Sequence, residues 1–176
     1  MRTVFLTGFM GAGKTTIGAK LGELFHCRVL DMDQIIEAKI GHAISEHFQM
    51  YGEAAFRDLE TETLREFDGQ EGIITTGGGV IMRPENREIM KKKGIVIFLN
   101  CDFPTIWERL IGDETRPLIK NKNKEEVEAL YKKRLPFYLE GATAAVDTSG
   151  KTAEEAAMSV AQCLKELTDG ETNTVQ

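Results

Sequence analysis

The chain has 176 residues, 41% of them hydrophobic, and a formal net charge of −6. That length suits a single domain whose sheet is covered by helices on both faces, and the acidic balance argues against nucleic acid, whose phosphates call for a basic surface. No apolar run reaches the roughly 18 residues a bilayer span needs, and Cys27, Cys101 and Cys163 are widely spaced with no C-x-x-C pair, so a cytoplasmic protein with reduced thiols and no membrane partner is expected.

The first predicted strand, Val4-Phe5-Leu6, begins at once, so no signal peptide is expected. It runs into Gly8-Phe9-Met10-Gly11-Ala12-Gly13-Lys14-Thr15, after which Ile17, Leu21, Leu24 and Phe25 recur at helical spacing. A strand, a G-x-x-x-x-G-K-[ST] loop and a helix in that order make a P-loop. The glycines let the backbone N–H groups of Gly11, Ala12 and Gly13 approach a phosphate. The helix start, with Lys14, Thr15 and Thr16, adds further N–H donors and the positive end of a dipole. Lys14 supplies a cation for the β- and γ-phosphates, and Thr15 a hydroxyl ligand for Mg²⁺. The chain is expected to bind a nucleoside triphosphate.

Val29-Leu30-Asp31 reads as a second strand and Gln34 to Ile40 as a helix. Ile44 to Tyr51 reads as a short helix that stops before Gly52, and Glu53 to Phe67 as a longer one. Ile73 to Thr76 is a strand entering Gly77-Gly78-Gly79. Pro84 suits the first turn of a helix ending at Lys93, and the unbroken apolar run Ile95 to Leu99 suits a central parallel strand. A helix from Phe103 to Leu110, a polar stretch from Gly112 to Lys124, a helix from Glu125 to Leu139 and a strand from Ala144 to Asp147 follow. The last helix carries an apolar stripe from Ala153 to Leu167, with Thr152 and Glu155 as a capping box. Residues 169–176 are polar and expected to fray. Such alternation predicts an α/β fold of three layers, α/β/α, around a parallel sheet with its ligand at the strands' C-terminal ends.

The remaining polar clusters must name the acceptor. Asp31 and Asp33 close the second strand, where alternation along an extended chain sends both carboxylates to one side. One would join the Mg²⁺ shell and the other a substrate hydroxyl; the alternative is a helix N-cap plus a solvated carboxylate. Arg57 and Glu60 are three apart on a helix, as a surface ion pair would be. Three consecutive glycines at 77–79 lower stability and pack nothing, so something is expected to approach that backbone closely. The segment from Gly112 to Lys124 reads as a lid carrying Arg116 toward a transferring phosphoryl group. Arg134 reads either as an anion clamp or as a solvated charge. Asn121-Lys122-Asn123-Lys124 lacks the aspartate of a guanine-reading N-K-x-D.

Taken together these stretches resemble the shikimate kinase family. The resemblance rests on Gly8 to Thr16, on Asp31-Met32-Asp33 with Ile36-Glu37, and on Gly41, Ile44, Phe48, Gly52-Glu53, Phe56-Arg57 and Glu60 in order. Gly77-Gly78-Gly79, Arg116-Pro117-Leu118, Arg134 with Tyr138 and Ala142, and Val146-Asp147-Thr148 extend it, so that it spans about residues 3–165. Thr15-Thr16 replaces a commoner Ser-Thr pair and keeps the hydroxyl. The resemblance implies a nucleoside-monophosphate-kinase-like fold with a five-stranded parallel sheet and a lid at about 112–124, and a substrate-binding helical segment at about 33–61. It implies transfer of the γ-phosphoryl group of MgATP to the 3-hydroxyl of shikimate, on the route to aromatic amino acids. Asp33 would hold and deprotonate that hydroxyl, and Asp31 would serve the Mg²⁺ shell with Thr15. Arg57 and Arg134 would bind the shikimate carboxylate, Glu60 would orient Arg57, and Gly78 and Gly79 would meet the ring through backbone. Arg116 would close on the phosphates, and Arg109 with the loop after Val146 would face adenine. A monomer is the expected state. Two rival readings are another small-molecule kinase of this build, such as a gluconate kinase, and a nucleotide switch, for which no D-x-x-G sensor follows a strand.

Overall fold

A strand covered on both faces must be apolar at successive positions, and the run at residues 95–99 meets that condition. In a computed structural model that describes residues 2–67, 69, 71–111 and 123–172, β4 (Gly94–Asn100) is buried from Gly94 through Leu99. Beside it lies β1 (Thr3–Thr7), buried along its whole length. The five strands are parallel and stand in the order β2 (Val29–Asp31), β3 (Ile73–Thr75), β1, β4, β5 (Ala144–Asp147). The chain leaves β1 for the β2 edge, fills the gap with β3, and then crosses to the far side of β1. Connections therefore reverse direction around β1, the position at which sheets of this kind bind ligands. Register sets Leu6 opposite Thr75 and Thr75 opposite Asp31, so three strand ends come level there.

Helices α1 (Lys14–Phe25) and α7 (Ala153–Thr172) pack together on one face, and α4 (Pro84–Lys93) and α6 (Lys124–Gly141) on the other, completing the expected three layers. Helices α2 (Met32–Ile40) and α3 (Ile44–Glu66) pack on each other, and α5 (Phe103–Ile111) packs on α6. The Thr152–Glu155 capping box is formed at the start of α7, with N–H to side-chain oxygen distances of 3.2 and 2.8 Å.

Several boundaries differ from the sequence reading for local reasons. Helix α2 begins at Met32 rather than Gln34 because the Asp31 carboxylate accepts the N–H groups of Asp33 and Gln34 and caps it. The two helices expected on either side of Gly52 abut without a loop, as halves of α3; Gly52 takes φ 80 and ψ 176 between them. Helix α7 runs to Thr172, into the expected frayed tail, since extending an existing helix gains one bond per residue. Asn123 caps α6 by accepting the Glu126 N–H at 2.8 Å, so the last two residues of the expected lid start a helix. Residues 112–122, including Arg116, lie outside the described residues. Among the described residues no helix is long and apolar enough to cross a membrane.

Candidate active site

The loop after β1 takes backbone conformations that favour glycine, with φ 80 at Gly11 and 92 at Gly13. Gly13 is the N-cap of α1 and has no side chain to occupy the first N–H groups, and no acidic residue stands in the first turn. The amides of that turn are thus left to an anion. Ala12 is fully buried behind the loop. The Lys14 ammonium donates to the Gly8 and Phe9 carbonyls at 2.9 and 3.0 Å, tying the loop from within. The cleft in front is lined by Met10, Gly11, Gly13, Lys14, Thr15, Thr16, Asp31, Asp33, Thr76, Gly78, Arg109 and Leu110.

Both carboxylates expected at the end of β2 reach this cleft, but strand alternation is not the reason. Asp31 is extended and caps α2, whereas Asp33 already belongs to the helix. Asp31 is at once the cap and a site residue. Its Oδ1 takes the two helix amides, while its Oδ2 accepts the Thr75 hydroxyl at 2.9 Å and lies 3.5 Å from the Thr15 hydroxyl oxygen. Asp33 Oδ1 is buried and has no hydrogen-bond partner among the described residues. Burial pushes the Asp33 carboxyl above the usual aspartate range; Asp31 adds to this, and Lys14 and Arg57 oppose it.

Glu60 on α3 is fully buried and grips Arg57, Oε2 to Nη1, at 2.5 Å. Its other oxygen is a second buried acceptor without a partner. The pair is not the surface contact that its spacing allows. Arg57 is further held by Glu53 at 2.9 Å, one helical turn back. Burial alone would lower the Arg57 pKa, but Glu60 and then Glu53 overcome it and raise it, so the guanidinium stays charged. Burial pushes the Glu60 carboxyl up, with Arg57 the chief opposing influence.

The triple glycine explains how these parts meet. A Cβ on Gly77 would stand 2.9 Å from both Asp33 Oδ1 and Glu60 Oε1, so the two oxygens flank the space that a side chain would fill at this glycine. A Cβ on Gly78 would lie 3.5 Å from the Met10 amide nitrogen of the P-loop, and one on Gly79 would overlap the Arg57 guanidinium. The close approach expected there is made by the protein's own site side chains. Arg134 enters from α6, its Nη1 donating to the Gly78 carbonyl at 3.3 Å, with its guanidinium over the Phe9 ring at 5.9 Å. Arg109 donates to the carbonyls of Gly11 and Lys151 at 3.2 and 3.3 Å, joining the P-loop to the loop after β5.

A family model described as shikimate kinase matches residues 10–165. The chain belongs to the shikimate kinase family. Among its relatives, a shikimate kinase of Bacillus cytotoxicus is 45% identical over 155 residues, covering 88% of this chain and 93% of the relative. One of Enterococcus faecalis is 39% identical over 168 residues, covering 94% of this chain and all of the relative. A solved structure, shikimate kinase from Acinetobacter baumannii in complex with shikimate, is 35% identical with a TM-score of 0.86, covering 100% of this chain and 96% of that one. The protein is thus an enzyme, a kinase of P-loop fold.

A kinase also needs an acceptor site beside the phosphate cradle, and Glu53, Thr75 and Thr76, to which the sequence reading assigns no role, stand next to the residues expected to form it. Glu53 holds Arg57, and its i, i+4 spacing was the available signal. Thr75, whose hydroxyl fixes Asp31, and Thr76, which lines the cleft, offered none, because their contacts cross the sheet. Gly79→Ala tests this packing: φ at Gly79 is −105, open to any residue, so only the overlap with Arg57 matters. The variant is expected to raise the acceptor KM by roughly 10- to 100-fold and to leave the ATP KM within about twofold in steady-state assays.

Proposed function

We propose that this kinase moves the γ-phosphoryl group of ATP to the 3-hydroxyl of shikimate, in the synthesis of aromatic amino acids. The observation that carries the reading is the convergence of Asp33 and Glu60, each with a buried partnerless oxygen, on a glycine backbone between a P-loop and two arginines. Such a pocket suits an acceptor bearing both hydroxyls and a carboxylate. Arg57 and Arg134 bind the carboxylate, because a guanidinium fork matches its two oxygens, and Glu60 holds Arg57 in place. Gly78 and Gly79 meet the ring through backbone. Asp33 holds the accepting hydroxyl and takes its proton.

The amides of Gly11, Gly13, Thr15 and Thr16, with Lys14, cradle the β- and γ-phosphates, while the Ala12 amide, proposed from the sequence for the same cradle, donates to the Phe9 carbonyl at 3.1 Å and shapes the loop from behind; Arg109 with the loop after Val146 faces the adenine. Arg116, outside the described residues, is retained as the arginine that closes on the phosphates from a lid at about 112–124. Thr15 and Asp31 would hold Mg²⁺, since a hydroxyl and one carboxylate oxygen standing 3.5 Å apart are the hard-oxygen donors that this ion combines with substrate phosphates. Bound there, Mg²⁺ would neutralise charge on the phosphate oxygens. We read the enzyme as a monomer acting in the cytoplasm.

Coupled ADP release with and without shikimate tests the reading, with gluconate as the control acceptor. Turnover should require shikimate; equal turnover with gluconate, or none with either, overturns it. Arg57→Lys and Arg134→Lys keep the charge but lose the planar fork, so each is expected to weaken shikimate binding by roughly tenfold or more. Calorimetry should find ATP affinity nearly unchanged. Equal loss of ATP binding would assign these arginines to the nucleotide.

A further inference from the structure

Arg134 and Tyr138 are one helical turn apart on α6 and reach the same atom. The Tyr138 hydroxyl donates to the Gly78 carbonyl at 2.5 Å, and Arg134 Nη1 donates to that carbonyl at 3.3 Å. A carbonyl oxygen has two lone pairs, and both are used. The tyrosine is 1% exposed, and its ring lies parallel to Phe98 of β4, with centroids 5.0 Å apart and planes 4° apart. Anchored on the sheet, it has no freedom to swing. Burial keeps its phenol far above the usual tyrosine range, so it remains a neutral O–H donor. Arg134 Nε is buried with no hydrogen-bond partner among the described residues.

The hydroxyl has this carbonyl as its acceptor, whereas the guanidinium has further N–H donors for a ligand. We propose that Tyr138 is a positioning residue for acceptor binding: its hydroxyl pins the Gly78 carbonyl, which sets the aim of the Arg134 guanidinium and of the Gly78–Gly79 backbone. The inference rests on Arg134 being a clamp on the acceptor's carboxylate. Without the hydroxyl, the Gly78 carbonyl is free to turn toward Arg134, and the guanidinium is drawn from the acceptor onto the protein's own backbone.

Tyr138→Phe removes one oxygen and keeps the ring on Phe98. The expected result is a fall of roughly tenfold in kcat/KM for shikimate, carried by KM, with the ATP KM within about twofold of wild type. A role in stability alone would lower the melting temperature and leave both KM values in place. The same substitution is then made in Arg134→Ala, where kcat/KM is readable below saturation. If Tyr138 acts through Arg134, its effect there should largely vanish. An unchanged shikimate KM in Tyr138→Phe, a parallel rise in both KM values, or the same fold-change in both backgrounds overturns the inference. If Arg134→Ala raises the shikimate KM while Tyr138→Phe does not, the clamp stands and the positioning role fails. If Arg134→Ala is itself silent, the clamp fails first.

Discussion

Lys14→Ala is expected to reduce turnover by roughly three decades or more. A single neutral donor to a developing oxyanion is typically worth about 10²–10³ in kcat, and Lys14 contributes a full charge in a loop otherwise built of backbone dipoles. The first turn of α1 contains no other cation, and Arg109, which also lines the cleft, is held by the Gly11 and Lys151 carbonyls. The substitution also releases the Gly8 and Phe9 carbonyls that the ammonium ties together. ATP affinity should therefore fall along with kcat, as calorimetry and coupled ADP release can read separately. Near-normal turnover would remove the P-loop from the mechanism.

Asp33→Asn should separate chemistry from binding. Asparagine keeps the size and one acceptor oxygen but loses the charge and the basicity, so the chain should fold and bind ATP. A loss of about two or more decades in kcat is expected, because general-base help is typically worth roughly 10²–10⁴. A loose phosphoryl-transfer transition state makes little demand for early proton removal, so part of the loss is one of positioning.

The pH profile supplies a second readout. The carboxylate is the active form, and burial and Asp31 favour the protonated one. Activity should therefore fall, as pH drops, at a value above the usual aspartate range, and Asp33→Asn should lack that limb. An unmoved acid limb in the variant would assign it to another group; Glu60, also pushed up by burial, is the nearest candidate. Wild-type kcat in Asp33→Asn would overturn the catalytic role outright. Asp31→Asn should instead raise the Mg²⁺ concentration needed for activity; asparagine can still cap α2, but an amide nitrogen in place of Oδ2 cannot accept the Thr75 hydroxyl, so some stability should be lost there.

The double duty of Asp31 shows where sequence reading ran short. A cap and a cleft carboxylate read as alternatives in the sequence, yet Oδ1 caps α2 while Oδ2 takes the Thr75 hydroxyl and lies near that of Thr15 at the cleft. Arg57 and Glu60 are a comparable case: their spacing permits an exposed pair, and only the packing of α3 makes Glu60 fully buried and sets the pair against Gly77 and Gly79. Spacing along a helix says which side chains meet, not whether water reaches them.

What the sequence determined by itself is the phosphate half of the site. Its cradle lies within the consecutive residues Gly8 to Thr16, and each part follows from local physics: glycines for positive φ, an uncapped helix start, an adjoining lysine. The five strands and their helices were equally legible, since apolar runs and helical spacing are short-range signals. The acceptor half was decided by tertiary structure. Its geometry depends on the strand order β2-β3-β1-β4-β5, which no local pattern encodes. That order brings the backbone after β3 against the P-loop, where Asp33, Glu60, Arg57, Arg134 and Tyr138, from three helices distant in sequence, meet around three glycines. Contacts across such separations arise from burying both faces of one sheet, and that burial belongs to the whole chain.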